Sequence, residues 1–133
     1  MKSKRLFFLV AVGVFSHLHV PRCHAEPAEE MLSACRPITQ AKVSEGGVAF
    51  KKTSETGMCW GAFASLESAI NFSDWNDHPL LDVCAPKDFT RTQLIAIFVT
   101  YIEKHPEQYN WEFFQVATNS LLDVWTCKAT KAK

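Results

Sequence analysis

The spacing of the cysteines places the tightest limit on how this chain can fold. The sequence has 133 residues and five cysteines. Cys23 lies in a predicted export signal, which leaves Cys35, Cys59, Cys84 and Cys127 in the exported domain. An even number of cysteines in a small exported domain is typical of two disulfides. A zinc site is the alternative, but structural zinc usually takes closely spaced pairs of ligands, and no CxxC-like spacing occurs. The pattern therefore favours a small fold closed by two disulfides.

The first 25 residues have the layout of a secretory signal peptide. Basic residues from Lys2 to Arg5 precede the apolar stretch Leu6 to Phe15, and small residues, Cys23 and Ala25, occupy the −3 and −1 positions of a cleavage site. A short buried helix is the alternative interpretation of the apolar stretch, which is too short for a bilayer that requires about 20 residues. We therefore expect a cleaved signal at 1–25, an exported single domain at 26–133 and no stable membrane anchor.

The charge of the predicted mature domain argues against a nucleic-acid partner. From Glu26 onward the sequence has 10 basic and 14 acidic side chains, a net charge of −4. A mildly acidic domain has no electrostatic basis for binding a phosphate backbone. The content of 47% hydrophobic and 12% aromatic residues is that of a globular chain, and the length suits one domain. Nucleic-acid binding and a multidomain enzyme are excluded on these grounds.

Apolar periodicity predicts an all-α domain, a disulfide-stapled bundle of four or five helices. The first helix is expected over 27–36 and the second from Met58 to about Asp74. The long loop between them, 37–57, has room for a hairpin at its two adjacent glycines. Gly61 and Ala62 are small enough to permit close approach of a neighbouring helix. The predicted buried positions are Ala28, Met31, Leu32 and Cys35 in the first helix, and Cys59, Phe63, Leu66 and Ile70 in the second.

The last two helices are predicted to form an antiparallel hairpin, 90–104 followed by 107–125. Thr90 and Gln93 form a capping box at the start of the first helix, and Pro106 ends it. The short turn between the two helices then requires antiparallel packing. The predicted apolar face of the second helix consists of Phe114, Ala117, Leu121 and Val124, flanked by Phe113, Val116 and Trp125.

This helix layout bears on how the cysteines pair. Cys84 precedes the predicted hairpin and Cys127 follows it, so both lie at its open end. Cys35 is expected at the end of the first helix and Cys59 at the start of the second. The layout favours Cys35–Cys59 and Cys84–Cys127, while four cysteines always allow three pairings.

The sequence contains no recognisable catalytic motif, metal-ligand pattern or cofactor motif, so the chain is not expected to be an enzyme. The connection 74–82 is the first candidate for partner binding, with Trp75, Asp77 and His78 as contacts. Trp75 is either an interface anchor or a cover for the edge of the core. His78 is expected in an exposed turn, with metal ligation as the alternative. The turn 104–107 is the second candidate.

Three segments together resemble a known family. They are Cys84-Ala85-Pro86 with Thr90-Arg91-Thr92-Gln93-Leu94, then Tyr101-Ile102-Glu103-Lys104-His105-Pro106-Glu107, then Trp125-Thr126-Cys127. In order and spacing they resemble the Tai-type immunity proteins, whose Cys-x-Gly-aromatic segment is similar to Cys59-Trp60-Gly61-Ala62-Phe63. Two departures occur: Ala64-Ser65 stands where a glycine is usual, and Thr126 stands in place of a proline.

The resemblance implies an exported, all-helical periplasmic protein that binds and occludes a peptidoglycan amidase effector of a type VI secretion system. It further implies that inhibition is steric, that no cofactor takes part, and that the protein acts as a homodimer. The alternative is a periplasmic helical binding module with another partner and no toxin-neutralising role.

Overall fold

The computed structural model describes residues 26–44 and 47–127, and its secondary structure is dominated by helices. The predicted all-α, disulfide-stapled class is confirmed. The hairpin predicted at the two glycines is present as β1 and β2, with Val43 opposite Val48. The predicted signal peptide lies outside the described residues. The elements are α1 (Ala28–Thr39), β1 (Lys42–Ser44), β2 (Gly47–Ala49), α2 (Ser54–Ile70), α3 (Arg91–Ile102), a single 3-10 turn (Pro106–Gln108) and α4 (Phe113–Trp125).

The long predicted loop is shorter than expected at both ends. α1 continues through Pro37 to Thr39, because a proline in the last turn removes one backbone hydrogen bond while Ile38 is still buried. α2 begins before Met58, because Thr53 and Thr56 form a capping box that the sequence reading missed. The buried Thr56 hydroxyl also donates to the Lys51 carbonyl at 2.8 Å. The capping box predicted at Thr90 and Gln93 is confirmed.

The core lies where α1 contacts the other three helices. The stripe predicted on α2 is confirmed, since Cys59, Phe63 and Leu66 are fully buried and Ile70 nearly so. Phe63 packs against Phe98 of α3 and Phe113 of α4. The three ring centroids are 5.3 to 5.6 Å apart, in the tilted and edge-on arrangements that aromatic pairs prefer. Within the described residues, no helix is long and apolar enough to cross a membrane.

The fourth helix differs from its prediction in both start and orientation. It begins at Phe113, because the first residues of α1 and the chain just before them bind the backbone of residues 109–113 and hold 109–112 out of the helix. The N–H of Ala28 donates to the Trp111 carbonyl at 2.9 Å, and the N–H of Phe113 donates to the Glu26 carbonyl at 3.0 Å. The buried face of the helix also differs from the predicted one, although Ala117 and Leu121 are buried as predicted. Its buried side is Phe113, Val116, Ala117, Ser120 and Leu121, whereas Phe114 and Val124 are exposed.

Both favoured disulfides are confirmed, and they occupy very different surroundings. Cys35–Cys59 joins the interiors of α1 and α2, with both cysteines fully buried. Cys84–Cys127 closes the open end of the α3–α4 hairpin, with Cys84 exposed. At this end the N–H of Cys84 donates to the Trp125 carbonyl at 2.7 Å, and the N–H of Cys127 donates to the Asp82 carbonyl at 3.1 Å. We call this disulfide with its two backbone hydrogen bonds the end clamp.

Reduction is expected to open the two disulfides in a fixed order. In the native state, dithiothreitol should reduce Cys84–Cys127 well before Cys35–Cys59, because a thiolate can reach Cys84 without disturbing the core. Pulse labelling with a maleimide followed by peptide mass spectrometry would identify which thiols appear first. In denaturant the order should disappear. Earlier labelling of Cys35 and Cys59 in the native protein would contradict this prediction.

Gly61 does not serve the purpose predicted for it. It lies on the exposed side of α2, and a Cβ atom built there has no heavy atom within 4 Å among those considered. No neighbouring helix approaches it, so the close helix contact predicted at this glycine is wrong, whereas Ala62 is half-buried and packs against the core. The glycine instead leaves α2 with a residue of poor helix propensity.

Replacing this glycine is expected to stabilise the protein. Gly61→Ala should raise the free energy of unfolding by about 0.5–1 kcal/mol, because alanine restricts the unfolded chain and meets nothing in the folded one. Urea denaturation followed by circular dichroism measures the change. Ser65→Gly, at an exposed position one turn later in α2, is the opposite control and should lower the stability. A destabilised Gly61→Ala protein would show that the site is packed.

Candidate functional site

The segment 71–82 between α2 and the end clamp folds into a closed loop, which we call the Trp75 loop. Asp74 organises it. One carboxylate oxygen, Oδ1, accepts hydrogen bonds from the backbone N–H of Asn76 at 2.8 Å and of His78 at 2.9 Å. The N–H of Asp74 in turn donates to the His78 carbonyl at 2.8 Å. An aspartate side chain is short enough to accept hydrogen bonds from backbone N–H groups a few residues on, and these bonds fix the path of a turn.

The two stems of the Trp75 loop are tied together below this turn. Ser73 and Pro79 form an isolated antiparallel bridge, and the N–H of Leu80 donates to the Phe72 carbonyl at 3.1 Å. Asp77 has a φ of 60°, a left-handed conformation that aspartate tolerates better than most residues. The loop is therefore closed by hydrogen bonds of its own at both tip and stem.

Hydrogen bonding also shifts the titration of the organising carboxylate. The backbone N–H of His78, followed by that of Asn76, holds the pKa of the Asp74 carboxyl below its ordinary value. These donors favour the ionised form, since a carboxylate accepts them better than a carboxylic acid does. The turn therefore remains capped at all pH values at which an ordinary aspartate is ionised.

Trp75 is presented to solvent at the tip of this loop. Its side chain is 95% exposed, so it does not cover the edge of the core. Asp77 and His78 are also exposed beside it. Two further apolar residues, Phe72 and Leu80, are each 62% exposed on the stems, and the sequence reading did not identify them. Exposed apolar side chains that cluster on one rigid loop are typical of an interaction surface.

The second predicted contact region, the turn 104–107, lies away from the Trp75 loop. It joins α3 to α4 at the end of the hairpin opposite the end clamp, so the fold does not bring the two regions together. Within it, His105 Nδ1 lies 2.9 Å from Glu107 Oε1, and the His105 ring stacks on Tyr101 with centroids 4.3 Å apart. The pKa of Glu107 is lowered, first by its own backbone N–H and then by His105.

The described residues do not form a metal centre. Within 26–44 and 47–127, no group of three or more histidine, cysteine, aspartate or glutamate side chains is placed to hold a metal ion. The described cysteines are joined in disulfides. What the Trp75 loop offers is a rigid, protruding surface with aromatic, aliphatic and acidic groups, which suits recognition of another molecule.

Comparison with known families agrees with that interpretation. The model of the family described as Rap1a immunity proteins matches residues 27–127. The chain belongs to the Rap1a immunity protein family. The matched segment of this Rap1a family member contains both disulfides and the whole Trp75 loop. No curated protein and no solved structure shows significant similarity to it.

Removing the Asp74 carboxylate is expected to loosen the loop without unfolding this Rap1a family member. In Asp74→Ala, amide hydrogen exchange at Asn76 and His78 should accelerate, because both N–H groups lose their acceptor. Nuclear magnetic resonance measures this residue by residue. In the native protein the capping should persist above the ordinary aspartate pKa and be lost as the pH falls through the lowered value.

Asp88→Ala is the matched control, since it removes an exposed carboxylate outside the loop. It should leave exchange at Asn76 and His78 unchanged. Equal protection in Asp74→Ala and in the native protein would mean that the loop does not depend on this side chain.

Proposed function

We propose that this Rap1a family member is a periplasmic immunity protein that binds and blocks a peptidoglycan amidase effector of a type VI secretion system. The observation that carries the proposal is the exposure of Trp75 at the tip of a loop whose backbone is already hydrogen-bonded in place. The amidase and the periplasmic location come from the resemblance to Tai-type immunity proteins and from the predicted signal peptide, and both belong to the proposal.

Pre-organisation of the loop supports an inhibitory role. A flexible loop would lose conformational entropy on binding. The backbone of the Trp75 loop is already ordered by its own hydrogen bonds, so binding costs it less entropy. A protruding tryptophan with exposed apolar flanks can fill a concave cleft and exclude water from it. Inhibition then requires no chemistry from this chain, because an occupied cleft cannot admit substrate.

Charge supports the same kind of partner. The chain from Glu26 onward carries a net charge of −4, and Asp77 and Asp82 add exposed carboxylates to the Trp75 loop. An acidic inhibitor surface accelerates encounter with a basic partner by electrostatic steering. We therefore propose an effector whose catalytic groove is lined by basic residues.

A homodimer is also part of the proposal. The resemblance to Tai-type proteins implies one, and the outer side of α4 supports it because Phe114 and Val124 are 46% and 54% exposed there. In such a dimer the second copy would pack on α4, which leaves the Trp75 loop free for the effector. Sedimentation of the oxidised protein at micromolar concentration would measure the oligomeric state.

The experiment is titration of the oxidised protein, residues 26–133, into peptidoglycan amidase effectors, read by calorimetry and by peptidoglycan hydrolysis. Native protein should bind tightly and stop hydrolysis. Trp75→Ala combined with Asp77→Ala should weaken binding by about 30-fold or more, because truncating a central aromatic anchor typically costs at least about 2 kcal/mol.

Trp111→Ala is the control, since Trp111 is 43% exposed but lies outside the Trp75 loop. It should retain native affinity. Native affinity in the double variant would remove the Trp75 loop from the interface while leaving the immunity role. Failure of the folded, oxidised protein to bind any amidase would remove the amidase proposal and favour a helical binding module with a different partner.

A further inference from the structure

A concave site lies apart from the Trp75 loop, where the chain leaving β2 passes the first turns of α2 and α3. We call it the Trp60 groove. It has a volume of about 660 Å³, and its apolar walls are Val48, Phe50 and Trp60. The sequence did not reveal it, because its lining comes from two stretches far apart in the chain, 48–60 and 90–92, which only the tertiary structure brings together. Pockets of roughly 300–1,000 Å³ with mostly apolar walls are typical of small-ligand sites.

The aromatic part of the groove is held in place by contacts of its own. The Phe50 and Trp60 rings pack with centroids 5.3 Å apart at an angle of 41°. The Arg91 guanidinium lies 4.7 Å from the centre of the Trp60 ring, within the range of a cation–π contact. Glu67 Oε2 accepts from Arg91 Nε and lies 2.8 Å from its Nη2. Among the described residues, Arg91 Nη1 has no hydrogen-bond partner, so its donors can reach another acceptor.

The polar part of the groove is cationic. Its two charged lining residues are Lys52 and Arg91, and none of the described carboxylates lines it. The first turns of α2 and α3 also border it, and helix N-termini favour nearby negative charge. Glu67 offsets part of the charge of Arg91, so Lys52 supplies most of the net positive charge at the rim.

We propose that the Trp60 groove binds a small amphipathic carboxylate. Its apolar body would lie against Phe50 and Trp60, and its carboxylate would accept hydrogen bonds from Lys52 and from the free donors of Arg91. Charge complementarity decides the class of ligand: a purely apolar ligand would leave the cations unused, and a cationic ligand would be repelled by them. The groove shares no residue with the Trp75 loop. The two also differ in character, since the loop is convex and acidic whereas the groove is concave and basic.

The test uses two probes of nearly the same shape, 1-naphthaleneacetate and its neutral amide, added to the oxidised protein labelled with ¹⁵N. The four tryptophan indole N–H signals then report on four separate places in the molecule. The acetate should shift the Trp60 signal with a dissociation constant on the order of 0.1–1 mM, as expected for a ligand of this size. It should leave the Trp75 signal unchanged. The amide should bind about tenfold more weakly, because it lacks the charge-assisted hydrogen bonds.

Neighbouring lysines provide the matched variants. Lys52→Gln should weaken binding of the acetate about fivefold to tenfold and leave binding of the amide unchanged. Lys51→Gln should alter neither, since Lys51 is exposed but does not line the groove. Equal melting temperatures of the two variants would show that folding is not the cause of a difference.

Three results would overturn the proposal. They are equal affinity for the two probes, equal effects of the two lysine variants, and no shift of the Trp60 signal at about 5 mM probe, well above the expected range. The last result is also what a groove that accepts only a segment of a protein partner would give.

Discussion

Closure of the α3–α4 hairpin at its open end is the constraint on which the candidate binding site depends. The end clamp joins Cys84 to Cys127 and pairs the backbone on both sides of that bond. Its position fixes where the Trp75 loop leaves the bundle and where it returns. In the chain-entropy model, a disulfide that closes a loop of this length stabilises by roughly 3–4 kcal/mol, a large share of the stability of a small domain. Without the clamp the loop would have one anchored stem, that of α2.

The Trp75 loop shows how a small domain can present an apolar surface without collapsing onto it. Asp74 satisfies two backbone donors, and the stems pair with each other, so the backbone polar groups of the turn are used within the loop. The side chains are then free to point outward. Leaving Trp75, Phe72 and Leu80 in water forgoes the free energy that burial of such residues normally contributes, which is why this exposure is evidence for a partner.

The two surfaces with recognition chemistry differ in shape and in charge. The Trp75 loop protrudes and carries carboxylates, and it suits a cleft on a large basic partner. The Trp60 groove is concave and carries cations, and it suits a small anionic ligand. Membership of the Rap1a immunity protein family accounts for a surface of the first kind. The groove rests on separate residues of the same fold, so the two surfaces can be tested one at a time.

Local sequence determined much of this protein. The stripe Cys59, Phe63, Leu66 and Ile70, the capping box at Thr90 and both cysteine pairings follow from spacing and from side-chain chemistry, which act over a few residues or one connection. The start of α4 and its buried face depended on tertiary structure: Ala28, the first residue of α1, binds the Trp111 carbonyl, so α4 begins only at Phe113, and packing against the other helices decides which side is buried. Tertiary contacts likewise formed the Trp60 groove, since they bring residues 90–92 against the stretch 48–60. The sequence could not predict the exposure of Trp75, because a tryptophan just after a helix can face either the core or solvent. It faces solvent because Asp74 and the end clamp fix the path of the loop that carries it.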